Sequence, residues 1–355
     1  MSQGDNDFRS VHGVIQNSST IRDAIETIDR SPYKIALVVD REQRLVGTIT
    51  DGDVRRALLN GKLMDMCVTE IMYRTPVISY VDEPIEDAER LARRRAIRQV
   101  PIVDRNGCVV GIHVVDEATQ NGLFENPVVL MAGGLGLRLR PLTEHAPKPL
   151  LSVGTKPMLE TIVDQLIVHG FRKFFFAVQY KAEMVQDHFG DGSRWNAEFQ
   201  YLHETEPLGT AGALGLLGEI PDLPLLVMNA DLLTKIDYRH FLQFHEDSGV
   251  AATMAVRAYD IKIPYGVVST DSHRILSIEE KPVQKFFVNA GIYVLEPDVL
   301  HRIEGGARLD MPDLFTRLIE AGLDTAAFPI REYWIDVGQM QDYHKANDEF
   351  KAVFE

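Results

Sequence analysis

Apolar positions in the first third of the chain switch between a helical and a strand-like spacing, and they do so twice. Residues 21 to 30 read as an amphipathic helix and residues 35 to 39 as a β-rich run; a turn and a second strand follow. Shifting the sequence by 64 residues lays Ile21, Asp23 and Ala24 on Ile85, Asp87 and Ala88, and Val39-Asp40-Arg41 on Val103-Asp104-Arg105. Val46-Gly47 then falls on Val110-Gly111. The second copy therefore predicts a helix over 85–95 and a strand over 100–103. One such unit, a short sheet with a single helix, leaves an apolar face bare, so the two copies are expected to need each other.

The repeat ends near Asn121-Gly122, and Pro127-Val128-Val129-Leu130-Met131 opens a new buried strand. The break divides the chain into residues 1–122 and 126–355. In the second part Met158, Leu159, Ile162, Val163, Leu166 and Ile167 make a helical stripe between Pro157 and Gly170. Phe174 to Phe176, Glu198 to Leu202 and Leu225 to Met228 read as strands.

Composition narrows the classes of partner. The 355 residues are 45% hydrophobic and 25% charged, which supplies real cores and excludes wholesale disorder. Lys and Arg total 37 against 52 Asp and Glu, a net charge of −15, so neither nucleic acid nor an anionic membrane is an expected partner. Small phosphates remain possible guests, because a local cradle of backbone N–H groups and one or two cations outweighs a diffuse charge. Arg90, Arg93, Arg94, Arg95 and Arg98 follow Glu86, Asp87 and Glu89 at spacings that pair on a solvated helix face. Cys67 and Cys108 fit neither a disulfide framework nor a paired-thiol metal site, and a reducing compartment is expected. Residues 1–10 are polar and acidic, unlike a signal peptide, so the expected location is cytoplasmic.

The duplicated unit resembles the paired CBS domains, or Bateman module, over about residues 10 to 120. That resemblance implies an adenine nucleotide between the repeats, with Thr50 and Asp53 holding a ribose and Val114 and Glu117 at the matching offset of the second copy. It also implies a homo-oligomer. The alternative is a module that only packs, with Asp53 opening a helix over residues 53–60 as its cap.

Ala132-Gly133-Gly134-Leu135-Gly136 follows the strand at 127–131, and glycines there let the backbone approach an oxygen-rich ligand. Neither the dinucleotide fingerprint nor the Walker loop is present. Arg138 comes directly after, and Lys148 is fixed between Pro147 and Pro149, so two cations flank the cradle as a triphosphate requires. Asp231 ends the strand at 225–228 and Asp336 follows apolar residues far along the chain, a hard-oxygen pair suited to Mg²⁺. Glu204 and Glu206, ahead of Gly209-Thr210-Ala211, are candidate readers of a base, since a carboxylate accepts from the N1–H and N2–H₂ edge of guanine.

These motifs resemble the sugar-phosphate nucleotidyltransferases from about residue 127 to the C-terminus. Leu137 departs from the pattern, which has Thr or Ser before the arginine. The resemblance assigns the triphosphate to Ala132, Gly133, Gly134, Gly136, Arg138 and Lys148, and Mg²⁺ to Asp231 and Asp336. A sugar-phosphate pocket falls on Gly266, Glu280, Lys281, Asn289 and Gly291, with Lys281 neutralising the sugar's phosphate. The leucine-glycine-threonine-alanine-glycine string at 208–212 looks like that of the guanylyltransferases, with uridylyltransferases sharing part of it. The implied fold is α/β, a mixed, mainly parallel Rossmann-like nucleotidyltransferase sheet flanked by helices and preceded by an α+β CBS-pair domain. The implied reaction joins GTP and a sugar-1-phosphate into a GDP-sugar. A CBS pair fused to such a domain resembles the glucosamine-1-phosphate guanylyltransferases of legionaminic acid biosynthesis; mannose-1-phosphate is the alternative sugar, and a non-catalytic nucleotide-sugar sensor the alternative of another class.

Overall fold

The computed structural model describes residues 12–84, 99–114 and 123–355. Its chain separates into two compact units, residues 1–120 and 121–355. In the first, β1 (Val14–Gln16), α1 (Ile21–Arg30), β2 (Ile35–Val39), β3 (Leu45–Thr50) and α2 (Asp51–Leu59) make one copy of the repeat. The second copy shows β4 (Ser79–Tyr80), β5 (Gln99–Val103) and β6 (Val109–Val114). Both copies build a three-stranded sheet in which the first strand is parallel to the second and the second antiparallel to the third. Even the ladder irregularity recurs, at Val38/Val39 and at Ile102/Val103. The copies are joined by main-chain bonds from Leu45 N–H to Gly107 O (2.9 Å) and from Val109 N–H to Gln43 O (3.3 Å), and Tyr33, Ile35, Leu37 and Ile112 share a core. The helix expected over 85–95, its arginines and Glu117 lie outside the described residues.

Helix starts in this unit follow from side-chain chemistry. Thr20 caps α1 by a capping box in which its hydroxyl accepts from Asp23 N–H while Asp23 accepts from Thr20 N–H. Thr50 and Asp53 form the same box at α2. The helix there begins at Asp51, with Thr50 as its cap and Asp53 as the third helical residue, which corrects the expectation of Asp53 capping a helix over 53–60. Arg55 is buried and paired with Asp51.

In the second unit the element order is β7 (Val128–Met131), α3 (Met158–Val168), β8 (Lys173–Val178), α4 (Ala182–Phe189), β9 (Glu198–His203), β10 (Leu225–Asn229), β11 (Leu232–Thr234) and α5 (Tyr238–Ser248). Then come β12 (Ala252–Lys262), the hairpin β13 (Gly266–Asp271) and β14 (Arg274–Glu280), and β15 (Val283–Leu295). The chain closes with α6 (Met311–Glu320), β16 (Thr325–Ile330), β17 (Trp334–Asp336) and α7 (Met340–Phe354). The central sheet has seven strands in the order β9-β8-β7-β10-β15-β12-β16. Strands β9, β8, β7 and β10 run parallel, and β15 is antiparallel to both its neighbours.

Alternation along the strands builds two cores. Val128, Leu130, Leu226 and Met228 face Leu159, Ile162, Val163 and Leu166 of α3 and Phe241 of α5. Val129, Leu225 and Val227 face Leu214, Met311, Leu314 and Leu318 on the other side. Each such large side chain contributes about 1.5–3 kcal/mol relative to exposure, which pins the register and with it the loops at the strand ends. Strand order reverses at β7, so the crevice where ligands gather in open α/β sheets lies beyond the carboxyl ends of β7 and β10. Past the sheet, β12 and β15 continue as a two-stranded ribbon with Tyr259, Ile261 and Phe286 exposed.

Candidate functional site

The parallel register aligns four strand ends, and the first residue beyond three of them is still hydrogen-bonded to its neighbour. Ala132 N–H bonds Ala177 O (2.8 Å), Glu204 N–H bonds Val178 O (2.9 Å) and Ala230 N–H bonds Met131 O (3.1 Å). The glycine loop, Glu204 and Asp231 therefore leave the same edge. A Cβ on Gly133 would stand 2.5 Å from Glu204 Oε1, so only glycine lets that carboxylate lie against the loop. Gly136 has φ 62°, and a Cβ there would meet Thr143 Cγ2 at 2.8 Å and Lys148 Cβ at 3.1 Å. Thr143 donates its hydroxyl to Gly136 O (2.8 Å), fixing the loop from below. Gly134 is open on its Cβ side, and Leu137 and Arg138 are exposed on the turn that follows.

Lys148 starts a short 3-10 turn between its two prolines, and its buried side chain crosses to Asp231, with Nζ 2.5 Å from Oδ2. Asp336 reaches the same place through the pairing of β11 with β17, in which Leu232 opposes Asp336 and Val337 N–H bonds Asp231 O (3.0 Å). Burial raises the Asp336 carboxyl above the ordinary carboxylate range; the charge of Asp231 raises it further, while Lys148 and Arg138 oppose the shift. The loop arginine, the proline-fixed lysine and both aspartates thus share one electrostatic environment. Among the described residues no group of three or more His, Cys, Asp or Glu is placed to hold a metal. Two carboxylates that repel each other beside a phosphate cradle fit Mg²⁺, which uses one or two carboxylates and fills its shell with phosphate oxygens and water.

Glu204 is half-buried, and burial raises its carboxyl, opposed by the bond that Oε2 accepts from Leu208 N–H (2.9 Å). Glu206 is exposed. The short helix Gly209–Gly212 spends its polar groups on the segment entering α6. Thr210 N–H bonds Asp310 Oδ1 (3.1 Å), the Thr210 hydroxyl accepts from Met311 N–H (2.8 Å), and Ala211 N–H bonds Leu309 O (2.9 Å). Sequence reasoning missed this clasp, since nothing local links residues 209–211 to 309–311.

The sugar-pocket residues fall into two groups. On the β13–β14 hairpin Gly266 opposes Glu280, whose Oε2 would lie 2.9 Å from a Cβ on Gly266, and Lys281 is exposed with φ 48° and its N–H on Tyr265 O (3.3 Å). On β15 Asn289 donates Nδ2 to Tyr293 OH (2.8 Å) and accepts Gly291 N–H at Oδ1 (2.8 Å). Burial pushes the Tyr293 phenol up to about 12. Gly291 has φ 73°, and its missing Cβ leaves room for Asn229 Nδ2, 2.8 Å from where that atom would stand. Asn229, two residues before Asp231, has a buried Oδ1 with no hydrogen-bond partner. Asn229 stands in the same string as Asp231, where nothing in the sequence pattern distinguishes it. Among the described residues no hydrogen bond or ion pair joins Lys281 to Asp231.

Thr50 and Asp53 are engaged with each other. The Thr50 hydroxyl donates to Asp53 Oδ2 (2.7 Å), and Arg56 Nη2 lies 2.5 Å from Asp53 Oδ1. Thr20 and Asp23 show the same bond at 2.8 Å, so the Thr-x-x-Asp spacing serves as a helix cap in both places. Thr50→Ala and Thr20→Ala are each expected to lower stability by about 1 kcal/mol, measured by denaturant unfolding. A ribose role would appear separately, as lost adenine-nucleotide affinity in Thr50→Ala alone.

Comparison with known proteins finds matches to two families along the chain. Residues 14–60 and 68–112 match the CBS domain, and residues 127–352 match the nucleotidyl transferase family. Among similar proteins, mannose-1-phosphate guanylyltransferase catalytic subunit beta of Drosophila pseudoobscura pseudoobscura is 35% identical over 224 residues, covering 61% of this chain and 60% of that protein. UTP–glucose-1-phosphate uridylyltransferase of Synechocystis sp. is 32% identical over 238 residues, covering 61% of each. The chain therefore spans about three fifths of the length of these curated relatives. A solved structure of HddC from Yersinia pseudotuberculosis complexed with GMP-PN is 26% identical with a TM-score of 0.50, covering 63% of this chain and 99% of that one. With more than half of its length matched, and a CBS pair ahead of the match, this chain belongs to the nucleotidyl transferase family.

Proposed function

We propose that the chain is a sugar-1-phosphate guanylyltransferase, forming a GDP-hexose and pyrophosphate from GTP and a hexose-1-phosphate. The observation that carries this reading is the convergence of Lys148, Asp231, Asp336 and Arg138 at the glycine loop. A phosphate oxygen of the sugar phosphate attacks the α-phosphorus of GTP, a new P–O–P bond forms, and the α–β bridge breaks to release pyrophosphate. A phosphomonoester is mostly dianionic at pH 7, its second pKa being near 6, so the attack requires no general base. The chain's own part is alignment and charge neutralisation: Lys148, Arg138 and the loop amides of residues 132–136 at the triphosphate, and Lys281 at the attacking phosphate. Mg²⁺, held by Asp231 and Asp336, would supply Lewis-acid polarisation of the phosphoryl oxygens. Lys281 stands on the hairpin, and its role requires that hairpin to present it to the loop.

Glu204 Oε1, beside Gly133, is the proposed acceptor for the guanine edge. Protonation removes the charge and turns one of the two Glu204 acceptor oxygens into a donor, which weakens its hold on the N1–H and N2–H₂ edge, and burial raises the carboxyl above the ordinary value of 4.5. The KM for GTP is therefore expected to rise on acidification at a higher pH than an exposed glutamate would give. The profile should flatten in Glu204→Gln; an identical profile in the variant removes the assignment.

The sugar is the finer question. Mannose-1-phosphate is supported by the guanylyltransferase relatives at 34–36% identity, whereas glucosamine-1-phosphate is supported by the fusion with a CBS pair. Pyrophosphate release measured with four nucleoside triphosphates against mannose-, glucosamine- and glucose-1-phosphate tests both. Nucleotide binding without pyrophosphate from any pair would leave a nucleotide-sugar sensor as the reading. The CBS pair is proposed as the place of an adenine nucleotide and of homo-oligomer contact, and titrating AMP and ATP into the same assay reads the first.

A further inference from the structure

The ion pair between Lys148 and Asp231 joins a group assigned to the triphosphate with a group assigned to the divalent cation. Lys148 Nζ occupies Asp231 Oδ2 at 2.5 Å, in a setting where the lysine side chain is 10% exposed and the aspartate 30%. The lysine backbone is fixed by Pro147, Pro149 and the turn bond from Leu151 N–H to Lys148 O (3.0 Å), so the ammonium is held against this carboxylate rather than sampling solvent. Two cations cannot share one carboxylate oxygen at contact distance without repelling each other.

We infer that Lys148 is a resident cation that competes with the divalent metal for Asp231, so that metal binding is coupled to the arrival of a polyphosphate. This rests on the assignment of Asp231 and Lys148 made above. Lys148 also lies beside the glycine loop, its Cβ 3.1 Å from where a Cβ on Gly136 would stand, so phosphate oxygens bound there would offer the ammonium a second anion, and its transfer to them would free Asp231 for the metal. Neither charge is left buried and unpaired at any stage, which is the costly alternative. By linkage, whatever factor the polyphosphate adds to metal affinity, the metal adds to polyphosphate affinity. The protein alone is then a weak binder of divalent cations, and the synergy is written into one lysine.

The test uses the full chain without nucleotide and Mn²⁺ as probe, with free Mn²⁺ counted by electron paramagnetic resonance. Lys148→Met is expected to bind Mn²⁺ at least about tenfold more tightly than the parent, within the range usual for coupled sites. Lys148→Gln, which keeps a neutral donor to Asp231, serves if the methionine variant does not fold, and is expected to move the same way. Adding Asp231→Asn to either variant should abolish the gain. Unchanged or weaker Mn²⁺ binding in the folded lysine variants, or a gain that survives Asp231→Asn, overturns the inference. Pyrophosphate release by the parent protein is scored separately. If that assay succeeds while Mn²⁺ affinity does not move, the competition fails alone. If the affinity rises and no sugar phosphate yields pyrophosphate, the enzymatic reading fails alone.

Discussion

Asp231→Asn is expected to lower kcat for pyrophosphate release by roughly 100-fold or more, the scale of losing one preorganised charge-stabilising group. The substitution keeps the shape of the side chain and leaves a carbonyl oxygen for Lys148 Nζ, so the strand ends should survive it. What it removes is the negative charge that offsets Lys148 and, through the main-chain bond to Val337, stands beside Asp336. Circular dichroism checks the fold, and steady-state rates across an Mg²⁺ titration check the effect. Unchanged turnover at saturating Mg²⁺ would remove the metal assignment. On the proposal that Asp231 and Asp336 hold one cation, Asp336→Asn should cost a similar factor and the double variant much less than the product of the two.

Gly209→Ala is expected to destabilise the second unit by about 3 kcal/mol. Its φ of 79° is a conformation that L residues rarely adopt, and the added Cβ would stand 2.6 Å from both Leu309 O and Asp310 Oδ1. Neither obstacle is the loose end of a flexible chain, since the carbonyl belongs to the backbone and Asp310 accepts from Thr210 N–H. Relief requires the clasp between residues 209–211 and 309–311 to open, which also releases the entry to α6. Denaturant unfolding measures the loss. A change under about 0.5 kcal/mol, the size usual for surface sites, would show that the clasp is dispensable.

What could be read in advance divides by range. The repeat was legible because both copies keep the same alternation, and its strands pair as the 64-residue shift implies, down to the bulge shared by Val38/Val39 and Ile102/Val103. The stripe from Met158 to Leu166 announced α3 because helical period and core face coincide there. The glycine loop announced a close approach, and the partner found at Gly133 is the carboxylate of Glu204. Illegible were contacts between segments that share no period: Lys148 with Asp231, Thr210 with Met311, Gly291 with Asn229. Each depends on strand order, which local patterning does not encode. Thr50 and Asp53 mark the reverse limit, because one spacing serves a nucleotide-binding motif and a capping box equally well.

The pairing of β11 with β17 brings together two carboxylates drawn from the middle and the end of the second unit. During synthesis, a ribosome can therefore deliver the loop, the lysine and the first acid into a growing sheet well before the second acid exists. A nascent chain halted just before residue 336 would carry most of the scaffold without the second carboxylate, so under the proposed chemistry competence would arrive late in translation and all at once.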